Sequence, residues 1–256
     1  MNVQRLFDVT GKVALITGAT GGFGSAAAKG LAQAGVKVMA TGRTKPKLEQ
    51  LVKEIREAGR EAALSVGDPV NHDDVKRVVQ ETVSTFGGID ILITAAGLNK
   101  VNEIVDQPLE EWQEIMDVNV KGTWLYCKEA GKVMIDQGRG GKVILVSSTR
   151  GILGMARYAA YSPSKAAVDL IAKSLGCEWG PYKINVNAIA PTVFRTELTQ
   201  WMFDDNAFYM NFLKRIPIGR LGEPEDFVGT VIFLSSRASD FMTGSIVYVD
   251  GGYTAG

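Results

Sequence analysis

Residues 13–28 read VALITGATGGFGSAAA, and this stretch decides the interpretation of the whole chain. An apolar, β-branched run ends at Thr17, four glycines follow, and an alanine-rich helical pattern begins near Ser25. Glycine lets the backbone approach a pyrophosphate, and the free N–H groups of a helix N-terminus favour an anion. The stretch therefore predicts a β-α-β unit that binds a dinucleotide. The predicted cofactor-binding residues of its turn are Gly18, Thr20, Gly22, Phe23 and Gly24.

Short apolar runs alternate with longer helical patterns along the rest of the chain. This alternation is typical of a parallel sheet with helices on both faces. We predict one α/β domain over residues 1–256, a doubly wound seven-stranded parallel sheet of the Rossmann type. An aromatic and Met-rich segment, 191–220, interrupts the pattern and is predicted to form a substrate lid. The predicted strands are 13–17, 36–41, 62–66, 89–94, 142–147, 184–189 and 246–249, and the predicted helices are 23–34, 46–58, 73–86, 109–135, 158–179 and 225–235.

The composition argues against several classes of function. The 28 basic and 28 acidic residues give a net charge of +0, so no overall field attracts nucleic acid or an anionic membrane. The longest stretch without Asp, Glu, Lys or Arg is too short to span a bilayer, and the N-terminus does not resemble a secretory signal. We therefore expect a cytoplasmic protein. The 2 cysteines and 1 histidine do not supply a catalytic zinc site, and we predict no metal.

The ends of the second and third predicted strands carry candidate groups for the adenosine half of the cofactor. An acidic residue usually binds the ribose hydroxyls of NAD at the end of the second strand, but this chain has Arg43 there. Its guanidinium, with Thr44 and Lys45 next to it, suits the 2′-phosphate of NADP. We therefore predict NADP, with NAD still possible. Asp68 is placed to accept from the adenine amino group, with Pro69 beside the ring.

Tyr161 and Lys165 stand four residues apart in a helical pattern, so both face one side of the helix. A tyrosine with its ordinary pKa of about 10 exchanges protons poorly at neutral pH. A cation about 4 Å away lowers the pKa of a phenol, and we expect Lys165 to do so. Ser148 lies at the end of the fifth predicted strand, where a ligand of such a sheet binds, and its hydroxyl is placed to bind the substrate oxygen.

At these motifs the chain resembles the short-chain dehydrogenase/reductase family, over residues 11–253. The resemblance implies a catalytic tetrad of Asn119, Ser148, Tyr161 and Lys165. Tyr161 is then the general acid and base, Ser148 steadies the substrate oxygen, and Lys165 holds the nicotinamide ribose. Asn119 anchors a water that relays protons.

The same resemblance implies further cofactor contacts. Ala96 and Gly97 follow the fourth strand, and Pro191, Val193 and Thr196 follow the sixth, the last two facing the carboxamide. Two residues depart from the family pattern: Ala95 stands where the family often has Asn, and Thr192 stands where it usually has Gly. Family members are usually homotetramers formed through the helices predicted here at 109–135 and 158–179.

The substrate is less defined than the chemistry. The C-terminal third resembles the branch that contains gluconate 5-dehydrogenase and 2-deoxygluconate dehydrogenase, which implies a secondary alcohol or ketone such as a polyol, sugar or sugar acid. Arg150 is a candidate partner for a substrate anion, or a loop arginine in solvent. Trp201 instead favours a more apolar ketone or a 3-oxoacyl substrate.

Two alternatives concern the mechanism. Tyr158 precedes Lys165 by seven residues, a spacing that resembles divergent enoyl reductases, although the glycine-rich turn and Ser148 favour Tyr161. Tyr158 is then expected in the pocket wall. A protein that senses the cofactor without turnover has the same fold, and the complete tetrad argues against it.

Overall fold

The computed structural model describes residues 2–195 and 206–256, apart from the side chains of residues 206–208. Its strands form one parallel sheet in the order β3-β2-β1-β4-β5-β6-β7. The chain starts in the middle at β1, moves outward to β3, and returns to β1's other side with β4. The strands are β1 Val13–Thr17, β2 Lys37–Gly42, β3 Ala62–Val66, β4 Ile91–Thr94, β5 Gly141–Val146, β6 Ile184–Pro191 and β7 Ile246–Val249.

Helices pack on both faces of this sheet, so the predicted doubly wound fold is confirmed. The helices are α1 Gly22–Gln33, α2 Lys45–Glu57, α3 His72–Phe86, α4 Leu109–Met116, α5 Gly122–Gln137, α6 Tyr161–Trp179, α7 Asn206–Leu213 and α8 Pro224–Ser235. Consecutive β1 residues point to opposite faces: Ile16 packs with α1, α2 and α8, whereas Leu15 packs with α3, α5 and α6. Strand residues buried on both sides explain why the strands are nearly continuous apolar runs.

Two predicted helices differ from the structure. The structure divides the predicted helix 109–135 into α4, one turn of π-helix at Asp117–Lys121, and α5. The π turn contains Asn119, and such turns are frequent at functional sites. The predicted helix 158–179 begins only at Tyr161. Arg157 has a φ of 69° and the N–H of Tyr158 donates to the carbonyl of Met155 at 3.2 Å, so the residues just before Tyr161 form turns instead of a first helical turn.

The carboxyl ends of the strands all open at one edge of the sheet. The order in which strands are added to the sheet reverses between β1 and β4, and ligands bind at such a reversal point in open parallel sheets. Within the described ranges, no helix is long and apolar enough to cross a membrane.

Candidate active site

A cleft lies at this reversal point and is formed by the loops that follow the first four strands. Six of the predicted cofactor-binding residues line it: Gly18, Thr20, Arg43, Pro69, Ala96 and Gly97. The other lining residues are Thr17, Gly21, Thr41, Gly42, Thr44, Gly67, Ala95, Leu98, Val118 and Tyr126. The cleft therefore runs from the glycine-rich turn to the ends of β2 and β3.

The glycine-rich turn has a backbone that side chains would disrupt. Gly18 has a φ of +59°, and a Cβ atom there would lie 2.6 Å from the backbone of Ala96. A Cβ atom on Gly24 would lie 2.2 Å from the carbonyl oxygen of Gly18. Both positions need glycine, since the turn packs against the β4 loop on one side and against α1 on the other. The first turn of α1 consequently stays open to a ligand at the cleft.

Phe23 lies in the first turn of α1, where its backbone borders the predicted phosphate site. Its ring packs away from the turn, with centroids 5.1 Å from Phe194 and 4.8 Å from Phe227. Any contribution of Phe23 to a cofactor therefore comes from its backbone N–H, whereas its side chain anchors α1 to α8. Gly22 begins the helix beside it.

Arg43 is exposed at the edge of the cleft, just after β2. It makes no hydrogen bond or ion pair with any residue in the described ranges, so its guanidinium is available. Asp68 lies after β3 and uses one carboxylate oxygen, Oδ1, to accept the N–H of Val70 at 3.1 Å. Pro69 is buried beside it and lines the cleft.

The β1 and β4 ends are tied together by a hydroxyl. Oγ1 of Thr17 accepts the N–H groups of both Ala95 and Ala96, each at 3.2 Å. Ala95 stands where the family often has an asparagine, and Thr17 supplies a side-chain link between the strands that Ala95 cannot. The departure at Ala95 therefore leaves the cleft supported.

Asn119 is held rigidly in the π turn between the cleft and α6. Its Oδ1 accepts the N–H of Leu98 at 2.9 Å, and its Nδ2 donates to the carbonyl of Leu98 at 3.0 Å and to Oγ of Ser164 at 2.9 Å. The side chain thus fixes the β4 loop against the first turns of α6. A Cβ atom on Gly97 would lie 3.3 Å from Asn119 Oδ1 and 3.5 Å from Lys165 Nζ, so glycine keeps these two groups accessible.

Ser148 and Tyr161 meet at the ends of β5 and α6. Ser148 is 9% exposed and caps a 3-10 turn, with its Oγ accepting the N–H of Arg150 at 3.1 Å. A hydrogen bond from Ser148 lowers the pKa of Tyr161, but burial outweighs it and raises that pKa to about 12. The expected lowering of the tyrosine pKa is therefore wrong for the chain by itself, because the phenol is poorly solvated. Tyr158 packs edge-on against Tyr161, with ring centroids 5.9 Å apart.

Lys165 is a buried amine, 5% exposed, one turn beyond Tyr161. Its Nζ donates to the carbonyl of Val146 at 2.9 Å and lies 5.6 Å from the centre of the Tyr161 ring. Burial lowers the pKa of Lys165 to about 8, although the charge of Asp169 opposes this shift. The tyrosine and the lysine are therefore brought together as the helical spacing predicts.

Arg150 is also buried, at 8% exposure, so its interpretation as a loop arginine in solvent is wrong. Its Nη2 donates to the hydroxyl of Tyr253 at 2.5 Å and its Nη1 donates to the carbonyl of Gly154 at 3.2 Å. Its backbone N–H donates to Oγ of Ser148 at 3.1 Å, so Arg150 and Ser148 lie in the same turn after β5.

The residues after β6 are described in part. Pro191 ends β6 and is buried, and the carbonyl of Val193 accepts the N–H of Gly222 at 3.2 Å. Thr196 and Trp201 lie outside the described residues. Helix α7 follows, within the predicted lid segment.

Comparisons with known proteins agree with this geometry. A family model described as enoyl-(acyl carrier protein) reductase matches residues 18–254. An uncharacterized oxidoreductase of Mycobacterium tuberculosis is 47% identical over 255 residues, covering 97% of this chain and 93% of its own length. A short-chain type dehydrogenase/reductase from Mycobacterium marinum superposes with a TM-score of 0.94 at 38% identity, with 100% of both chains covered.

The chain belongs to the short-chain dehydrogenase/reductase family. A gluconate 5-dehydrogenase from Burkholderia cenocepacia, solved in complex with NADP and tartrate, superposes with a TM-score of 0.95 at 34% identity over 98% of each chain. The resemblance to the gluconate branch of the family is therefore confirmed. So is the expectation of a nicotinamide-dependent oxidoreductase that acts on a secondary alcohol or ketone.

Some residues of the site could not be predicted from the sequence motifs of the short-chain dehydrogenase/reductase family. Thr17 is the last residue of a strand, and nothing in the sequence says that its hydroxyl holds the β4 loop. Tyr126 and Val118 line the cleft from helices distant in sequence. Tyr253 lies at the C-terminus, and only the folded chain brings it to Arg150. The described residues contain no group of three His, Cys, Asp or Glu side chains placed to hold a metal ion.

Proposed function

We propose that this protein interconverts a secondary alcohol and its ketone with NADP as the hydride carrier, and that Tyr161 transfers the proton. One observation carries the proposal: the Tyr161 phenol lies beside the Ser148 hydroxyl, and Lys165 Nζ lies 5.6 Å from the phenol ring centre. Lys165 Nζ is also next to Gly97, a residue that lines the cleft. The lining of the cleft supports a dinucleotide there, since it contains the glycine-rich turn before α1 at one end and Gly97, which packs next to Asn119 and Lys165, at the other. The oxidised nicotinamide supplies the hydride acceptor when it is bound.

The four side chains have separate roles in the oxidation. The Tyr161 phenolate takes the hydroxyl proton of the alcohol while the carbinol carbon loses its hydride, and the C–O bond becomes a carbonyl. Ser148 donates to the substrate oxygen and keeps it within reach of Tyr161. Lys165 binds the nicotinamide ribose and stabilises the phenolate, since a cation near a phenol favours its charged form. Asn119 positions the β4 loop and the water that relays the proton outward.

The assignment of NADP as the cofactor rests on the basic residues near the cleft and on the NADP bound in a related structure. We assign the phosphates to the turn of Gly18, Thr20, Gly22, Phe23 and Gly24. We assign the 2′-phosphate of NADP to Arg43, the adenine to Asp68 and Pro69, and the nicotinamide end to Ala96, Gly97, Pro191, Val193 and Thr196. Helix α2 begins beside Arg43 with Lys45, and its first turn contains no acidic residue, which suits a phosphate dianion. The gluconate dehydrogenase named above holds NADP, which supports the same cofactor here.

We propose a sugar acid as the substrate class. The support is the name of that relative, a gluconate 5-dehydrogenase, together with a buried arginine two residues beyond Ser148. Ser148, Arg150, Tyr158 and Trp201 are the proposed substrate contacts, with segment 191–220 as the lid. A more apolar ketone is the competing substrate, but no described contact favours it over an anion.

The assembly and location are also proposals. The whole chain acts as one domain, and a homotetramer would cover apolar side chains that the single chain exposes on α5 and α6, such as Trp124 at 49% and Leu170 at 61%. The described chain has free cysteines at Cys127 and Cys177, the latter exposed, which suits the reducing cytoplasm.

Removal of one hydroxyl tests the proposed chemistry. We expect Tyr161→Phe to lose at least about 10³-fold in kcat with a polyol, sugar-acid and ketone panel, while NADPH binds as in the wild type, because only the proton carrier is removed. Tyr182→Phe, on an exposed tyrosine after α6, is the matched control and should keep full activity.

Turnover by Tyr161→Phe at the wild-type rate would contradict the assignment. Loss of activity in Tyr158→Phe combined with retention in Tyr161→Phe would transfer the role to Tyr158. Binding of NADPH without turnover of any compound by the wild-type protein would favour a cofactor sensor.

A further inference from the structure

The guanidinium of Arg150 is buried, and its hydrogen-bond partners among the described residues carry no charge. It donates to the Tyr253 hydroxyl and to the Gly154 carbonyl, which are both neutral groups. No carboxylate in the described part of the chain forms an ion pair with it. A buried charge is normally paired, because its desolvation is unfavourable and neutral hydrogen-bond partners do not offset it. The position is therefore suited to an anion that comes from outside the chain.

A second arginine lies against the same aromatic ring. The Cζ atom of Arg215 is 4.6 Å from the centre of the Tyr253 ring, and that of Arg150 is 5.3 Å from it. Phe212 stacks on the ring with a centroid distance of 5.3 Å and fixes its plane. The guanidinium groups of Arg150 and Arg215 therefore both contact the Tyr253 side chain.

The acidic residue nearest to Tyr253 in the sequence, Asp250, already accepts hydrogen bonds within its own turn. Asp250 accepts the N–H of Gly252 at 3.0 Å, and its other oxygen accepts the N–H and the hydroxyl of Thr254 at 2.9 and 2.6 Å. These bonds shape the C-terminal turn that carries Tyr253. Within the described residues, Asp250 forms no ion pair with Arg150 or with Arg215, so its carboxylate does not occupy the position between them and a ligand.

This cluster adjoins the reacting groups. The backbone N–H of Arg150 donates to Oγ of Ser148, so the arginine and the catalytic hydroxyl share one 3-10 turn. Leu153 from the following loop and Val193 from the proposed nicotinamide loop pack against the apolar cluster that contains Tyr253. A substrate whose hydroxyl reaches Ser148 and Tyr161 would therefore extend toward the two guanidinium groups.

We propose that Arg150, Arg215 and Tyr253 form a carboxylate subsite that selects hydroxy-acid substrates over neutral alcohols. Arg150 and Arg215 bind the carboxylate, and the Tyr253 ring holds both guanidinium groups in place. A planar guanidinium pairs with a carboxylate through two parallel hydrogen bonds, which fixes orientation as well as affinity. The inference rests on the proposed function, which supplies the alcohol end of the substrate, and adds the residues that recognise its other end.

Binding to the reduced complex tests the subsite apart from catalysis. The protein with NADPH is titrated with D-gluconate and with D-glucitol, a neutral polyol of equal carbon number, by calorimetry. Neither pair can react, because cofactor and ligand are both in the reduced state. We expect gluconate to bind at least about tenfold more tightly than glucitol, as a charge-assisted pair should.

Three variants assign the difference to these arginines. Arg150→Met should weaken gluconate binding at least about tenfold and change glucitol binding less than about twofold, and Arg150→Lys should restore part of the loss. Arg215→Met removes an exposed side chain, so it tests the subsite even where Arg150→Met does not fold. Arg237→Met, at the opposite edge of the sheet and 75% exposed, is the matched control and should bind both ligands as the wild type does.

Equal losses for gluconate and glucitol in Arg150→Met and Arg215→Met would overturn the proposal, because a structural role does not discriminate by ligand charge. Equal affinity of the wild-type complex for both ligands would overturn it as well. Failure of the proposed function has a different signature, which is absence of NADPH formation from either compound with NADP while the affinity difference in the reduced complex persists.

Discussion

Replacement of the buried Lys165 by methionine should stabilise the cofactor-free protein while it destroys activity. The ammonium has a pKa of about 8, against 10.5 for an unperturbed lysine, because burial disfavours its charged form. A shift of about 2.5 units corresponds to roughly 3 kcal/mol of destabilisation at pH 7. Loss of the hydrogen bond to the Val146 carbonyl offsets about 1 kcal/mol of the gain. We expect Lys165→Met to raise the free energy of unfolding by about 2 kcal/mol at pH 7, in keeping with the stability lost at functional sites.

The pH dependence identifies the cause. Between pH 8 and 10.5 the unfolded chain binds a proton at this lysine that the folded chain has released, so wild-type stability rises with pH across this window. Below about pH 8 both states are protonated and the full penalty applies. The advantage of Lys165→Met should therefore be largest at pH 7 and fall close to zero by pH 10.

Urea unfolding without cofactor at these two pH values measures the difference, and Lys173→Met, on an exposed lysine of the same helix, is the control. The reasoning fails if Lys165→Met unfolds more easily than the wild type at pH 7, or if its advantage is the same at both pH values.

Two further predictions concern the cleft. Arg43→Met should weaken NADPH binding about tenfold or more and leave NADH binding unchanged, because only the 2′-phosphate loses its partner. Paired fluorescence titrations with NADPH and NADH measure the two affinities. Tighter binding of NADH than of NADPH by the wild type would refute the role of Arg43. Thr17→Val keeps the side-chain shape but leaves the N–H groups of Ala95 and Ala96 without their acceptor, so it should lower the free energy of unfolding by about 1–3 kcal/mol and weaken NADPH binding. Urea unfolding and the same titration check it, and wild-type values in both would show that the hydroxyl does not support the loop.

Most of the fold can be predicted from the sequence because its signals are local. Every predicted strand is present with bounds shifted by no more than two residues, since buried parallel strands are short apolar runs. The break between α4 and α5 is different. Asn119 lies in the π turn and bonds to Leu98, a residue of another loop, and a pattern of apolar spacing does not predict such a contact.

The proximity of Tyr161 and Lys165 can be predicted for a similar reason, since residues four apart share one helix face, and Ser148 follows β5 by two residues. The catalytic roles of these residues stay predictions. The pKa of Tyr161 could not be predicted from the spacing. The charge of Lys165 near the phenol predicts a lowered tyrosine pKa, whereas the folded chain raises it to about 12 because burial dominates. Spacing gives the distance between two groups along a helix, but desolvation depends on everything that packs around them.

The distribution of buried charge argues that the region around β5 and α6 is shaped by function. Asp90, far from the tetrad, is paired with Arg139 at 2.9 Å, and Asp250 accepts hydrogen bonds from its own turn. By contrast, Arg150 and Lys165 are buried and form no ion pair within the described ranges, and both carboxylate oxygens of the buried Asp169 have no hydrogen-bond partner there. Apolar residues of similar size at these three positions would stabilise the fold better. Three buried ionisable groups that form no ion pair in the described ranges, Arg150, Lys165 and Asp169, thus lie within two adjoining elements. Such a cluster favours a functional role for this region, because perturbed buried charges collect where ligands bind.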